Sequence, residues 1–449
     1  MIKFMKGIMM KQKIIKIFTK GNDTDVRVLK AFIYSFVGAI ISKGLIVFTG
    51  IILSRILGNE EYGKYSLINS TIQTFVTFAS MGIGATMVRY VAIYRNKEKN
   101  TCGKYIGTFL IVIILMSLAI SLIVYAFSDI ISLWTVESNE LSYLYHIASF
   151  IILFVAISSA LQSILIGFES FKSISMYEIA YGLISIVIVY FFSIKYGLVG
   201  ALYGLLLSRI VYSIILFYSS KRISKSCHIK WKIKFDKQII NSYIKFTFPS
   251  FISSIFVIPV TWLLNSLLTK NAGYFDMAVY SISLQWVSIV NYIMSLFTRV
   301  KPIYTQLYSD HKIIEFKRQL KKVVLISAMI GISIALVAIL LSEIILGMYG
   351  SGYVEQKMVF IIMMLAAVVI SIQSQFGTVF EAIGKMWIGL LLNVIWAINL
   401  IVFFLTLKQY GAFGYAVAYL ISYSIHCILS WILVHYQLKH DEHSQYQNI

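Results

Sequence analysis

Two cations stand where hydrocarbon would surround them: Lys43 near the middle of the apolar run 31–53, and Arg209 near the middle of the run 198–218. An unpaired cation at that depth costs at least about 2.5–3.5 kcal/mol, so each is expected to face a water-filled cavity or a partner. Two cations sharing a cavity would suit a doubly charged anion, which gains a charge-assisted hydrogen bond from each. The competing arrangement is an internal ion pair. Two acidic residues lie inside such runs, Glu178 about one turn into 174–194 and Glu343 near the end of 323–348, and neither matches the depth of the cations. Glu178 is the carboxylate available for coupling to a proton or a sodium ion. Gln73, Asn265 and Gln285 form a neutral polar group within other apolar runs. Amides there either bond neighbouring helices, at roughly 0.6 kcal/mol each, or serve a hydroxyl-rich ligand.

The elements that must position these residues follow from composition. Of 449 residues, 59% are hydrophobic and only 13% charged, against roughly a quarter charged in soluble domains. This excludes a secreted domain, a nucleic-acid-binding globule and a soluble head on a single anchor. Twelve apolar runs can be read, at 31–53, 65–88, 105–127, 144–167, 174–194, 198–218, 246–268, 277–297, 323–348, 358–380, 386–407 and 412–434. Each is long enough to cross a bilayer. Lipid cannot satisfy open backbone groups and the alternation of a barrel strand is absent, so the spans are helices. Residues 1–30 read as a basic cytoplasmic arm, 219–245 as a basic linker and 435–449 as a tail. With both termini inside, 31 of the 39 Lys and Arg fall on the cytoplasmic side, as the positive-inside rule requires. That placement explains the net charge of +20 through anionic lipid headgroups, without a nucleic-acid partner.

The chain also repeats itself. Lys195-Tyr196-Gly197-Leu198-Val199-Gly200 has a counterpart in Gln409-Tyr410-Gly411-Ala412-Phe413-Gly414, Tyr65-Ser66 in Tyr280-Ser281, and Phe168-Glu169 in Phe380-Glu381, at shifts of 214, 215 and 212 residues. Near-constant shifts imply two six-span lobes, 31–218 and 246–434. An even number of spans per lobe gives both the same orientation, hence a parallel repeat about the membrane normal.

The segment Ile52-Leu53-Ser54-Arg55-Ile56-Leu57-Gly58-Asn59-Glu60-Glu61-Tyr62-Gly63-Lys64-Tyr65-Ser66 resembles the leucine–small–Arg–x–Leu–Gly–x–x–x–Tyr–Gly–x–Tyr–Ser signature of the polysaccharide-unit flippases (Wzx type) of the multidrug/oligosaccharidyl-lipid/polysaccharide (MOP) exporter superfamily. Physically, Gly58 and Gly63 would free the backbone for a tight outer turn, and Tyr62 and Tyr65 would sit at the headgroup interface. The resemblance implies an all-α membrane protein of MATE-like fold with two parallel lobes around a central cavity. It implies export of undecaprenyl-pyrophosphate-linked oligosaccharide repeat units, for O-antigen, capsule or another surface polysaccharide, across a bacterial plasma membrane. Lys43 and Arg209 would then bind the pyrophosphate, while Gln73, Asn265 and Gln285 would contact sugars, because spans 1, 2, 7 and 8 border the cavity in related folds. Arg89 and Arg299 would occupy the cytoplasmic mouths of the two lobes, either drawing in the pyrophosphate or anchoring the helices. Polymerase and chain-length machinery are the protein partners implied.

No metal or cofactor is expected. Cys102, Cys227 and Cys427 are too scattered for a metal site or a disulfide framework. Asp23-Thr24-Asp25 has a glycosyltransferase-like acid–x–acid form but no nucleotide-binding domain around it. A cation-coupled drug exporter of the same superfamily would want a carboxylate deep in span 1 or 7, where there is none. A polysaccharide polymerase would want a large outer loop, and the longest one here is 128–143.

Overall fold

The computed structural model describes residues 23–447 except 81, 137, 296, 298 and 299. Among the described residues every regular element is a helix, the α-helices being α1 (Asp23–Ser80), α2 (Ile83–Tyr94), α3 (Lys99–Ala126), α4 (Ser128–Val136), α5 (Ser142–Gly167), α6 (Phe171–Ser226), α7 (Lys237–Ala272), α8 (Tyr274–Ser295), α9 (Lys301–Ser309), α10 (Ile313–Leu340), α11 (Ser342–Tyr349), α12 (Ser351–Val354), α13 (Lys357–Ala382), α14 (Met386–Leu407) and α15 (Gly411–Gln447). Eight helices among these residues are long and apolar enough to cross a membrane. They are fewer and longer than the apolar runs because single glycines bend the chain without interrupting the helix around them. Gly58 (φ 76°, ψ 178°) breaks α1, and Gly197 (φ 57°, ψ −134°) breaks α6. Both angles lie where an L side chain is strained.

These bends carry the internal repeat. Gly197 (φ 57°, ψ −134°) has its match in Gly411 (φ 56°, ψ −133°), and Gly58 in Gly273 (φ 90°, ψ 177°). The turn after α5 puts Glu169 at φ 58° and the turn after α13 puts Gly384 at φ 75°. The backbone therefore aligns Glu169 with Gly384 at a shift of 215, not with Glu381 at 212. What Glu169 and Glu381 share is an ion pair on the basic face, Arg95–Glu169 at 2.5 Å and Lys301–Glu381 at 2.7 Å.

Gly63 is no turn residue. It lies within α1, where a Cβ would collide with the Tyr274 carbonyl, so its function is close packing of α1 against the start of α8.

The linker is likewise no loose loop. After α6 the chain runs extended along α3: Lys232 donates its amide to the Gly103 carbonyl at 3.0 Å, and Thr108 Oγ1 accepts from the Lys234 amide at 2.9 Å. A Cβ on Gly103 or Gly107 would strike the Lys230 or Lys232 carbonyl. Lys104 and Asp236 pair at 3.2 Å. The Lys104 hydrogen bond, with the charges of Lys104 and Lys234, holds the Asp236 carboxyl below the usual range. Lys221 Nζ sits 3.9 Å from the centre of the Trp231 ring, a cation–π contact.

Two predictions follow for this strap. Gly107→Val should raise trypsin cleavage at Lys230, Lys232 and Lys234 by about tenfold, because cleavage tracks the open population, while Gly44→Ala, which meets nothing, should leave the rate unchanged. Because the folded Asp236 value is depressed, its contribution is present above the unfolded carboxylate value of about 3.9 and lost as pH falls through the lower folded value. Hydrogen exchange at the Lys232 and Lys234 amides, corrected for intrinsic rates, should therefore show constant protection from pH 7 to about 5 and a loss only below about 4.

Candidate functional site

Hydrocarbon drives polar side chains of α1, α6, α7 and α8 towards each other, and the space they enclose is a cavity of about 760 Å³. Lys43, Arg209, Gln73, Asn265 and Gln285 are all on its wall. The guanidinium carbon of Arg209 lies 4.6 Å from the Tyr181 ring centre and Lys43 Nζ 5.9 Å from that of Tyr292. Both cations are half-buried, and such contacts hold them in place by roughly 0.5–1 kcal/mol while leaving the charge on the wall.

The five residues do not share one state. Gln73 is exposed to the cavity it lines. Asn265 is buried, and its amide donates to Ser70 Oγ at 2.7 Å. Gln285 spends both ends: Nε2 donates to the Ile46 carbonyl at 3.2 Å and Oε1 accepts from Tyr349 at 3.0 Å. Gly50 admits this contact, since a Cβ there would come within 3.0 Å of Gln285 Oε1. Asn265 and Gln285 thus bond the two halves together at the cavity wall, whereas Gln73 presents its amide to the lumen.

Glu178 is not part of the wall. It accepts from Gln162 at 2.5 Å, and its charge is close enough to interact with that of Lys43. Span counting places Glu178 at a different depth from Lys43, and the α1–α6 packing leaves the two within electrostatic reach. Arg89 is exposed on α2, at the basic face, and is not a cavity residue. Arg299 lies outside the described residues.

Sequence reasoning missed two sets of lining residues. Tyr62 and Tyr65 turn inward instead of towards headgroups: Tyr62 is 4% exposed, its ring stacks 5.8 Å from that of Tyr65, and both line the cavity with Tyr181, Tyr280 and Tyr419. Asn69, Ser70, Thr74 and Thr77, all missed, form one stripe with the expected Gln73. Its signal was present in the sequence, because spacings of three and four residues put these polar groups on one face of a helix.

On the side away from the basic loops the halves are joined by backbone recognition. Arg55 Nε donates to the Met348 carbonyl at 2.8 Å, its second guanidinium nitrogen to the Gly347 carbonyl, and Ser54 Oγ to the Tyr349 carbonyl at 3.0 Å. These are the last carbonyls of α11, which lack helical partners and carry the negative end of the helix dipole.

Residues 28–307, well over half of the chain, match the sequence profile of the polysaccharide biosynthesis protein family. The chain belongs to that family. The capsular polysaccharide biosynthesis protein CapF of Staphylococcus aureus is 25% identical over 400 residues, which cover 88% of this chain and 96% of the relative. Among solved structures, the fold is similar to the inward-facing conformation of a multidrug resistance MATE family transporter of the MOP superfamily, with a TM-score of 0.78 and 15% identity, covering 91% of this chain and 99% of the other. It is also similar to a MOP superfamily transporter from Pyrococcus furiosus, with a TM-score of 0.68 and 15% identity over 93% and 96% of the two chains. The chain is therefore a multi-pass membrane protein of polysaccharide biosynthesis with a MOP transporter fold.

The Arg55 clamp gives a test of how the cavity is closed. In a variant lacking Cys102, Cys227 and Cys427, a cysteine placed at Asn69 should react with a membrane-impermeant maleimide from the side away from the basic loops about tenfold faster once Arg55→Ala removes the clamp, since charged hydrogen bonds contribute about 1.5–3 kcal/mol. An unchanged rate would mean that other contacts alone keep that side shut.

Proposed function

We propose that the protein is a flippase that moves undecaprenyl-pyrophosphate-linked oligosaccharide repeat units from the cytoplasmic to the outer leaflet of a bacterial plasma membrane by alternating access. The observation that carries this reading is the presence of both intramembrane cations on the wall of one cavity. Two cations held against aromatic rings on one wall suit a diphosphate, and a polar and tyrosine-lined lumen suits the attached sugars. The name of the Staphylococcus aureus relative supports a polysaccharide cargo.

In this reading the chain crosses twelve times, with both termini cytoplasmic. The bends at Gly58, Gly197 and Gly411 divide three of the long apolar segments, and α7 adds a crossing. Two lobes, 31–218 and 246–434, rock about the strapped linker 219–245, with 435–449 as a cytoplasmic tail. Lys43 and Arg209 hold the pyrophosphate and Gln73 contacts sugar. Asn265 and Gln285 contact sugar when the lobes part and release their bonds across the halves. Arg89 and Arg299 gather the anionic cargo at the cytoplasmic mouths, Glu178 is the candidate for ion coupling through its interaction with Lys43, and a polymerase with its chain-length machinery receives the product.

Deleting the gene in its host and labelling lipid-linked units from either side of the membrane tests the reading. Complete units should accumulate on the cytoplasmic face. Units that reach the outer face unpolymerised would point to a polymerase, and unchanged lipid-linked sugars to a drug exporter. Arg209→Ala and Lys43→Ala should each lower export by at least about tenfold at native protein levels, given the worth of a charged hydrogen bond. Arg209→Lys should retain part of the activity, because it keeps the charge but not the fork.

A further inference from the structure

A second cavity of about 370 Å³ lies between α13, α14 and α15 and shares no lining residue with the first. The repeat explains why it is there. With Glu169 aligned to Gly384, Gln162 of α5 corresponds to Gly377 of α13, and Glu178 of α6 to Asn393 of α14. With Gly197 aligned to Gly411, Tyr212 corresponds to His426. In the first half the Gln162 side chain extends to Glu178 and bonds it. In the second half that side chain is missing: a Cβ on Gly377 would meet nothing within 4 Å, and neither would one on Gly384 or Gly389. The carboxylate has become an amide and the phenol an imidazole.

The walls of this cavity are chemically divided. Gln373, Asn393, His426 and Ser430 are polar, while Phe380 and Trp387 are aromatic. His426 is 5% exposed and sits with Nε2 3.4 Å from Gln373 Nε2. Its Nδ1 and the Ser430 hydroxyl oxygen are buried behind the wall, without a hydrogen-bond partner among the described residues. No cation among the described residues lines the cavity, which disfavours a phosphate. Its one carboxylate, Glu381, is already paired with Lys301, which disfavours a divalent metal. Planar amides beside an exposed indole instead match a ring with hydroxyls on its edge and C–H groups on its face. The volume lies at the small end for ligand sites, enough for one ring.

We infer that this cavity is a binding site for a single neutral sugar ring, a hexose or N-acetylhexosamine, with Gln373 and Asn393 taking its hydroxyls and Trp387 covering its carbon face. The inference rests on the reading of the chain as a carrier of glycans, and adds to it a sugar site in the second half, apart from the cavity that holds the cations.

The test is binding to the purified full-length protein in detergent, read by tryptophan fluorescence during titration with glucose, N-acetylglucosamine and glycerol. One of the two sugars should give a saturable change in the millimolar range, absent in Trp387→Phe. Gly377→Gln supplies the side chain that the other half already has, into open space, and should weaken binding by tenfold or more, as should Asn393→Ala. Four results would overturn the proposal: no saturable change with either sugar, an equal effect of glycerol, a signal that survives Trp387→Phe, or undiminished affinity in Gly377→Gln of unchanged elution volume. Because no transport is measured, failure here leaves the export reading standing, and failure of the gene-deletion experiment leaves this binding result standing.

Discussion

Hydrocarbon neither donates nor accepts hydrogen bonds, and most of this chain's architecture answers to that. Backbone groups are satisfied within helices. The polar side chains that the helices carry cannot face lipid, so they face each other or water. Gln285 shows how far this goes: it uses its amide nitrogen on one half and its carbonyl oxygen on the other. Lys43 and Arg209 have no such neutral solution, and end against aromatic rings at the edge of a large polar space between the helices. The cavity is thus partly a consequence of where these cations can be tolerated.

The sequence made the helices, the sided distribution of basic residues and the identity of the buried cations plain, since each depends on composition within one run. The family resemblance put spans 1, 2, 7 and 8 at the cavity but fixed the position of neither cation; that Lys43 and Arg209 line the same space as Gln73, Asn265 and Gln285 emerges only from the packed helices. What pattern reading could not reach were properties set between segments. Gly63 and Gly58 are both glycines in one signature, yet only Gly58 takes a positive φ, while Gly63 is read correctly only once Tyr274 is known to cross it. Tyr62 has the composition of an interfacial ring, but burial against Tyr65 and the lumen decides its place. The strap of linker on α3 is likewise invisible in a basic loop, because Gly103 and Gly107 reveal their purpose only with the partner strand present.

Comparison of the halves shows duplication with divergence in charge. Positions held by Glu178 and Arg209 in one half are Asn393 and Tyr423 in the other, and the cation–π contact of Arg209 with Tyr181 is replaced by an aromatic pair, Trp396 and Tyr423, with centroids 5.2 Å apart. The scaffold is conserved at its bends, where backbone angles agree to about a degree at Gly197 and Gly411. Side chains between the bends have been free to separate an ionic half from a neutral one.

The Arg55–Ser54 contact has a further consequence. It recognises carbonyl oxygens at the end of α11 and no side chain of that helix. The residues at 347 and 348 can therefore drift in evolution without loosening this closure, provided the helix still ends there and Tyr349 keeps its hydroxyl on Gln285, whereas a change in helix length of a single residue would rotate the acceptors by about 100° and unlock it. Selection on this part of the molecule should act on insertions and deletions far more than on substitutions.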